Sequence, residues 1–319
     1  MTLIRLSSGR PDFEKLEAML TSLNNKLSGV PEAELTIEEL ISFQDADGSF
    51  KLVDSYAIES DARIDFCYVP TYLGAAILMR EILTGNRKAE DPLRRALNAS
   101  LSRSLGGHGY EAEDGRIKAM NIFIKGGLKD FLKRERQLCP EFHCLIHNII
   151  YEYKLNLFRG KNCGAWGEDY AYDWRNIIDT LKSSQRYYIA YGSNMNKKQM
   201  RDRCPGATGI GKTYVKNYQL TLPNYANIEP CVGMSVPAFL WEITSADEDN
   251  LDACEGYPHN YVKIEIITEF EGNCFSAMAY VMTKKGKERR ISLRAGYYED
   301  ILQGYVDAGF DISEYKLPI

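Results

Sequence analysis

Tyr187-Tyr188-Ile189-Ala190-Tyr191-Gly192-Ser193-Asn194-Met195 decides the reading of this chain. An apolar, aromatic strand breaks at Gly-Ser-Asn, and polar, basic, helix-like sequence follows from Asn196 to Arg203. Such a junction leaves backbone N–H groups without partners, and clustered N–H groups hold a carboxylate or steady a developing oxyanion. Further on, Leu251-Asp252-Ala253-Cys254-Glu255-Gly256-Tyr257-Pro258-His259-Asn260-Tyr261 places a carboxylate at a helix end beside a Gly-Tyr-Pro turn. A glutamate there opposes the helix dipole, so its presence asks for a reason. Together the two segments point to an enzyme.

Around this pair the chain divides near residues 182–186. With 319 residues, two domains are expected, 1–184 and 185–319. Residues 11–184 carry apolar positions at helical spacing, as in Phe13, Leu16, Met19, Leu20 and Leu23. Glycine-aromatic turns punctuate them at Asp47–Phe50, Gly107–Tyr110 and Cys163–Trp166, at separations of 60 and 56 residues. Helix-like stretches flank each turn, which predicts an all-α domain of repeated helical hairpins. The Gln44–Phe50 segment resembles the turns of terpene-cyclase and prenyltransferase α/α toroids. Neither an Asp-rich diphosphate site nor a Cys/His set accompanies it, so only the architecture carries over.

Beyond residue 185 the pattern turns to strands: 187–191, 218–222, 238–243, 262–267 and 277–282. Helices are predicted over Thr244–Cys254, entered through a Thr-Ser-Ala-Asp cap, and over Arg294–Ala308. The fold class is therefore α+β in two domains.

Residues 187–316 resemble the γ-glutamylcyclotransferase-like (AIG2-like) family. The markers run in order: Tyr191–Met195, Arg203-Cys204-Pro205-Gly206-Ala207, Ala226-Asn227-Ile228, Val236–Thr244, Leu251–Lys263, Tyr280-Val281-Met282, and Tyr298 to Tyr305. The resemblance implies a mixed β-barrel with flanking helices. It also implies cleavage of a γ-glutamyl amide by its own α-amine, with release of 5-oxoproline and an amine. Ring closure is intramolecular, so holding the substrate curled removes much of the entropic barrier. Two tasks remain: deprotonating the amine, and stabilising the oxyanion. The resemblance implies that Glu255 is the counterpart of the family's general base; a carboxyl in a partly apolar pocket suits that task, because burial raises its pKa toward working pH. The implied substrate-binding set is Tyr191, Gly192, Ser193, Asn194, Met195 and Tyr261, with Tyr191 and Met195 packing rather than reacting. No metal and no organic cofactor is required. The basic loop Thr283–Arg290 lacks the proline often found before the last helix, which puts substrate range in question more than chemistry.

Competing signals are weaker. Ser193 has no histidine near it in sequence, against a Ser-His hydrolase. Cys139, His143, Cys144 and His147 mimic a zinc spacing without a second ligand pair, on what reads as a core helix. Gly206–Thr213 has literal P-loop spacing, but β-like sequence follows it, so it reads as a turn entering a strand. Asp252 reads as structural.

A net charge of −5 and an isoelectric point near 5.6 argue against nucleic acid or an anionic membrane as partner. The apolar run Leu73–Met79 is too short to span a bilayer. Eight scattered cysteines fit free thiols in a reducing, cytoplasmic setting. The expected partner is a small γ-glutamyl substrate, with a protein partner possible through the helical domain. Two other functions stay open: a non-catalytic pocket for a γ-glutamyl or carboxylate ligand, and a pocket within the helical domain near Tyr110 or Trp166.

Overall fold

The computed structural model describes residues 3–31, 33, 35–101, 110–158, 168–181, 185–289 and 292–315. The chain forms two compact units, one of residues 1–142 and 156–182, the other of 143–155 and 183–319.

The first unit is helical: α1 (Phe13–Ser28), α2 (Ile37–Ser42), α3 (Ser60–Arg63), α4 (Val69–Leu83), α5 (Glu90–Leu101), α6 (Tyr110–Lys125), α7 (Leu128–Arg134), the ends of α8 (Pro140–Phe158), and α9 (Glu168–Leu181). Asp12 caps α1, and a Thr36/Glu39 capping box starts α2. A π-helical turn over Ile64–Tyr68 runs into α4, so helix is continuous over Ile64–Leu83. Those 20 residues are long and apolar enough to cross a bilayer, a length the Leu73–Met79 run alone concealed. Most of the stretch is buried inside the unit instead, where Tyr72 and Leu73 are fully enclosed. Tyr72, Phe123, Phe131 and Phe142 pack edge to face around it.

Of the three glycine-aromatic turns, Asp47–Phe50 is a tight turn in which Asp47 accepts from the Ser49 N–H and hydroxyl. Phe50 is buried in this unit's core, and its N–H donates to Thr71 Oγ1. The turn therefore anchors α4. The other two turns, with Trp166 and the Tyr110 side chain, lie outside the described residues, as does the helical-domain pocket expected beside them.

The second unit is built on one five-stranded sheet. Its strands are β1 (Gln185–Ala190), β2 (Thr208–Thr221), β3 (Asn227–Thr244), β4 (Tyr261–Phe270) and β5 (Asn273–Met282), in the order β2-β3-β1-β5-β4. All pairings are antiparallel except β1 with β5, which makes the sheet mixed. β2 and β3 form a long hairpin broken by register shifts at Gly209/Gly211 and Lys216/Tyr218, and such irregularities bend a sheet. The bending brings the two edge strands together. Thr213 Oγ1 lies 2.6 Å from Thr268 Oγ1, and Lys216 pairs with Glu269 at 2.8 Å. Thus β2 and β4 close the sheet toward a barrel through side chains. A turn at Pro205–Gly206 leads into β2 at Thr208, so the glycine-rich segment is the turn entering a strand that its sequence predicts.

Helices α10 (Lys197–Arg203), α11 (Ser245–Glu255), α12 (Lys284–Glu288) and α13 (Tyr297–Ala308) flank the sheet. The predicted start of the last helix at Arg294 is too early, because Gly296 is left-handed and caps α13.

Residues 143–155 of α8 complete this second unit. The open edge of β4 is covered at Glu265, whose N–H donates to Asn148 Oδ1 (2.9 Å) and whose carbonyl accepts from Cys144 Sγ (3.2 Å). Satisfying an exposed strand edge prevents its pairing elsewhere. Cys144 of the zinc-like cluster therefore serves the sheet, and among the described residues no group of three or more metal-ligating side chains is gathered. Asn148→Ala strands the Glu265 N–H and is expected to cost about 1–3 kcal/mol, read as a lower urea midpoint.

Candidate active site

The strand–loop–helix segment Tyr187–Arg203 forms one wall of a cavity. β1 ends at Ala190, Ser193–Met195 makes a single 3-10 turn, and Asn196 caps α10 by accepting from the Lys198 and Gln199 N–H groups. Gly192 is required by close approach: a Cβ there would lie 2.7 Å from the Ala226 Cβ. Gly304 in α13 plays the same part, since its Cβ would meet the Met195 Cβ at 2.7 Å and the Asn196 nitrogen at 2.9 Å.

The opposite wall comes from α11. A Thr244/Asp247 capping box starts this helix, as the Thr-Ser-Ala-Asp entry predicts. It ends at Glu255, the residue singled out as base, just before left-handed Gly256. The Tyr257–Pro258 peptide that follows is cis.

Between the walls lies a cavity of about 300 Å³, at the small end of the range for small-molecule sites, roughly 300–1,000 Å³. Tyr191, Gly192, Ser193, Asn194, Tyr261 and Glu255 all line it. Met195 does not. Its side chain is fully buried in the core against α13, because the 3-10 turn points it away from the loop's open side.

Asn194 joins the two walls. Its Nδ2 donates to Glu255 Oε1 (3.0 Å) and to the Tyr188 hydroxyl (2.9 Å). Its Oδ1 accepts from Arg203 Nη1 (2.6 Å) and Gln199 Nε2 (3.2 Å). All four hydrogen-bonding positions of the amide are filled.

The Glu255 carboxyl is raised above glutamate's ordinary value. Burial is the main cause; Arg203 and the Asn194 hydrogen bond pull the other way, and nearby Asp252 adds to the rise. The negative end of α11 has the same sign as that rise.

Tyrosines shape the rest of the chamber. Tyr261 donates to the Ala226 carbonyl (2.8 Å), Tyr191 to the Tyr280 carbonyl, and Tyr280 to Asp252 Oδ1 (2.5 Å). Tyr188 and Tyr297 differ from these. Tyr188 accepts from Asn194, and Tyr297 accepts from the Ala226 N–H at 2.8 Å, so each keeps its own O–H to donate. Burial pushes both phenols upward, which keeps them protonated at neutral pH.

Behind α11, Lys263 binds Asp252 (2.7 Å) and Glu248 (2.6 Å) and stands 4.7 Å from the Tyr257 ring centre. Burial acts to raise Glu248, yet Arg186 and Lys263 outweigh it and hold the carboxyl down at about 2. Asp252 is therefore a structural partner that fixes the helix carrying Glu255. Sequence reading missed Tyr188, Arg203, Tyr280 and Tyr297. Arg203 ends the helix that follows Asn194 and was legible only as the first residue of one marker of the family pattern; the tyrosines were hidden among the chain's 21.

The family model described as gamma-glutamyl cyclotransferase, AIG2-like, matches residues 188–300. Over that segment, which holds both walls of the cavity, the chain is similar to this family. No match was found among curated proteins. Among solved structures, one titled a gamma-glutamyl cyclotransferase is 21% identical, covers 41% of this chain and 83% of its own, and has a TM-score of 0.36. An uncharacterized protein from Homo sapiens is 21% identical over 41% of this chain and 85% of its own, with a TM-score of 0.36. YkqA from Bacillus subtilis is 20% identical over 41% of this chain and 52% of its own, with a TM-score of 0.34.

A carboxyl raised on folding makes its charged form a cost to stability. That cost is absent below glutamate's ordinary value of 4.5 and grows as pH rises through the raised value. Glu255→Gln is expected to melt at or above the wild-type temperature at neutral pH, with the difference shrinking toward pH 4, as followed by calorimetry.

Proposed function

We propose that the second unit cleaves a γ-glutamyl amide or peptide by intramolecular aminolysis, releasing 5-oxoproline and an amine. The observation that carries this reading is Glu255: a carboxyl with raised proton affinity, aimed into a small cavity and held by Asn194. The family likeness of residues 188–300 supports it.

In the proposed reaction the substrate's α-amine attacks its own γ-carbonyl carbon and a five-membered lactam closes. Glu255 accepts the proton that the amine sheds, and returns it to the departing nitrogen as the γ-amide C–N bond breaks. A base with raised pKa suits both transfers, because it gains a proton readily and gives it up again. Confinement in the cavity favours the curled conformer that ring closure needs.

Charge on the carbonyl oxygen and on the substrate's α-carboxylate requires donors. The first N–H groups of the Ser193–Met195 turn have no acceptor within the turn itself. They and the free O–H groups of Tyr188 and Tyr297 are the donors we assign to these two oxygen sites. Asn194 is a positioning residue: it holds Glu255 while being held by Arg203 and Gln199.

The test is release of 5-oxoproline from γ-glutamyl amino acids, γ-glutamyl amines and glutathione, with Glu255→Gln in parallel. Loss of a general base is expected to lower kcat by about 10²–10⁴-fold. Turnover that survives in Glu255→Gln would dismiss Glu255 as base, and silence of the folded wild type on every substrate would dismiss the reaction.

The pH profile gives a second check. Because the base works deprotonated, wild-type kcat/KM falls as pH drops through the raised Glu255 value, above the ordinary 4.5. Asn194→Ala removes a donor that favours the carboxylate form, so the acidic limb is expected to move to higher pH.

A further inference from the structure

Resting on the reaction proposed above, we infer that Arg289 selects substrates whose leaving amine carries a carboxylate of its own. The cavity wall holds three arginines, Arg203, Arg289 and Arg294, against a single carboxylate, Glu255. These three are not equivalent. Arg203 is bound to Asn194 and acts on Glu255. Arg294 is paired with Asp300 and donates to Gln199 Oε1 at 3.2 Å.

Arg289 has only a neutral acceptor, Asn260 Oδ1, at 3.2 Å, and no carboxylate pairs with it among the described residues. Its place is fixed by the segment before it. Thr283 caps α12, the Asn224 Nδ2 donates to the Gly286 carbonyl (3.0 Å), and the Thr283 N–H donates to the Asn260 carbonyl (2.8 Å). Two neighbouring cations are answered locally: Lys287 meets Glu229 at 2.5 Å, and Lys284 meets Glu288 at 3.9 Å. Among the described residues, the basic segment that departs from the family pattern thus delivers one guanidinium without a carboxylate partner, Arg289, to the cavity wall.

Arg289 is exposed, so it stands where the cavity meets solvent. A substrate with its γ-amide at Glu255 has its leaving portion still to accommodate in the rest of the chamber. A guanidinium there binds a carboxylate with a charge-assisted pair of hydrogen bonds, whereas an alkyl leaving group gives it nothing. Hydrogen bonds to charged groups are stronger than those between neutral ones, and solvent screening at an exposed site holds the effect to roughly tenfold.

The discriminating pair is γ-glutamylglycine and γ-glutamylmethylamide, which differ only in the carboxylate of the leaving amine. Dissociation constants for both are measured by calorimetry at 0.15 M salt on wild type, Arg289→Ala, Arg289→Lys and Lys285→Ala, using Glu255→Gln backgrounds to prevent turnover. We expect a preference for γ-glutamylglycine of about tenfold, largely lost in Arg289→Ala, partly restored in Arg289→Lys, and retained in Lys285→Ala. Equal affinities in the parent protein would overturn the inference. So would a preference that survives Arg289→Ala, or one that Lys285→Ala removes as completely, since the second result would assign it to general charge. Release of 5-oxoproline by the wild type is scored separately: its absence counts against the reaction, while the affinity ratio still decides the role of Arg289.

Discussion

The amide of Asn194 is the constraint around which the candidate site is arranged. One side chain faces a carboxylate and a phenol through its nitrogen, and a guanidinium and a second amide through its oxygen. An amide turned over would set its oxygen against Glu255 and its nitrogen against Arg203, so neighbours on both sides dictate one orientation. Buried polar networks of this kind rigidify when every member is satisfied. The loop carrying Asn194 can reach this position because two glycines let backbone and helix come close, Gly192 against Ala226 and Gly304 against Met195.

The other half of the site is held from behind. Glu255 terminates α11, and α11 is tied to the sheet by Lys263, which binds two of the helix's acids one turn apart. Arg186 adds to the same layer through Glu248 and Glu265. Buried ion pairs contribute little to stability overall, but losing one partner leaves the other uncompensated and is costly, by about 3–5 kcal/mol. Such a layer specifies position more than it stabilises. It places the helix end, and with it the carboxyl, in register with Asn194. Tyr280 connects this layer to the chamber, donating to Asp252 from a strand whose tyrosine also lines the cavity.

Much of this was legible in the chain. The strand that stops at Gly-Ser-Asn, the capped entry into α11 and the helix-end glutamate are local signals, each written within a dozen residues. The structure brings Glu255 to Asn194 across 61 positions, and the family pattern was what linked them beforehand. Met195 misled because it shares the loop's sequence but turns into the core. The glycine-rich Gly206–Thr213 segment reads as a turn entering a strand and is one, and its strand glycines accommodate the Phe239 and Phe270 rings at Gly209 and Gly211. The use of α8 residues to cap β4 could not be read from periodicity, which reports that a helix has a buried face but not which strand will lie against it. Arg289 was visible only as part of a basic run. Its place at the cavity wall, apart from the locally paired Lys284 and Lys287, comes from the structure alone.

Glu255 also bears on how this chain persists through mutation. A buried acid at the negative end of a helix is a standing burden on the fold at neutral pH, and most simple replacements relieve it. Stability therefore draws this position toward a neutral side chain, whereas the proposed reaction requires the charge that burial opposes. Loss of the carboxyl lifts that burden, but it also removes the acceptor of the Asn194 Nδ2 and the charge facing Arg203. Glutamine, which keeps an oxygen for Asn194, is therefore the replacement this packing tolerates most readily.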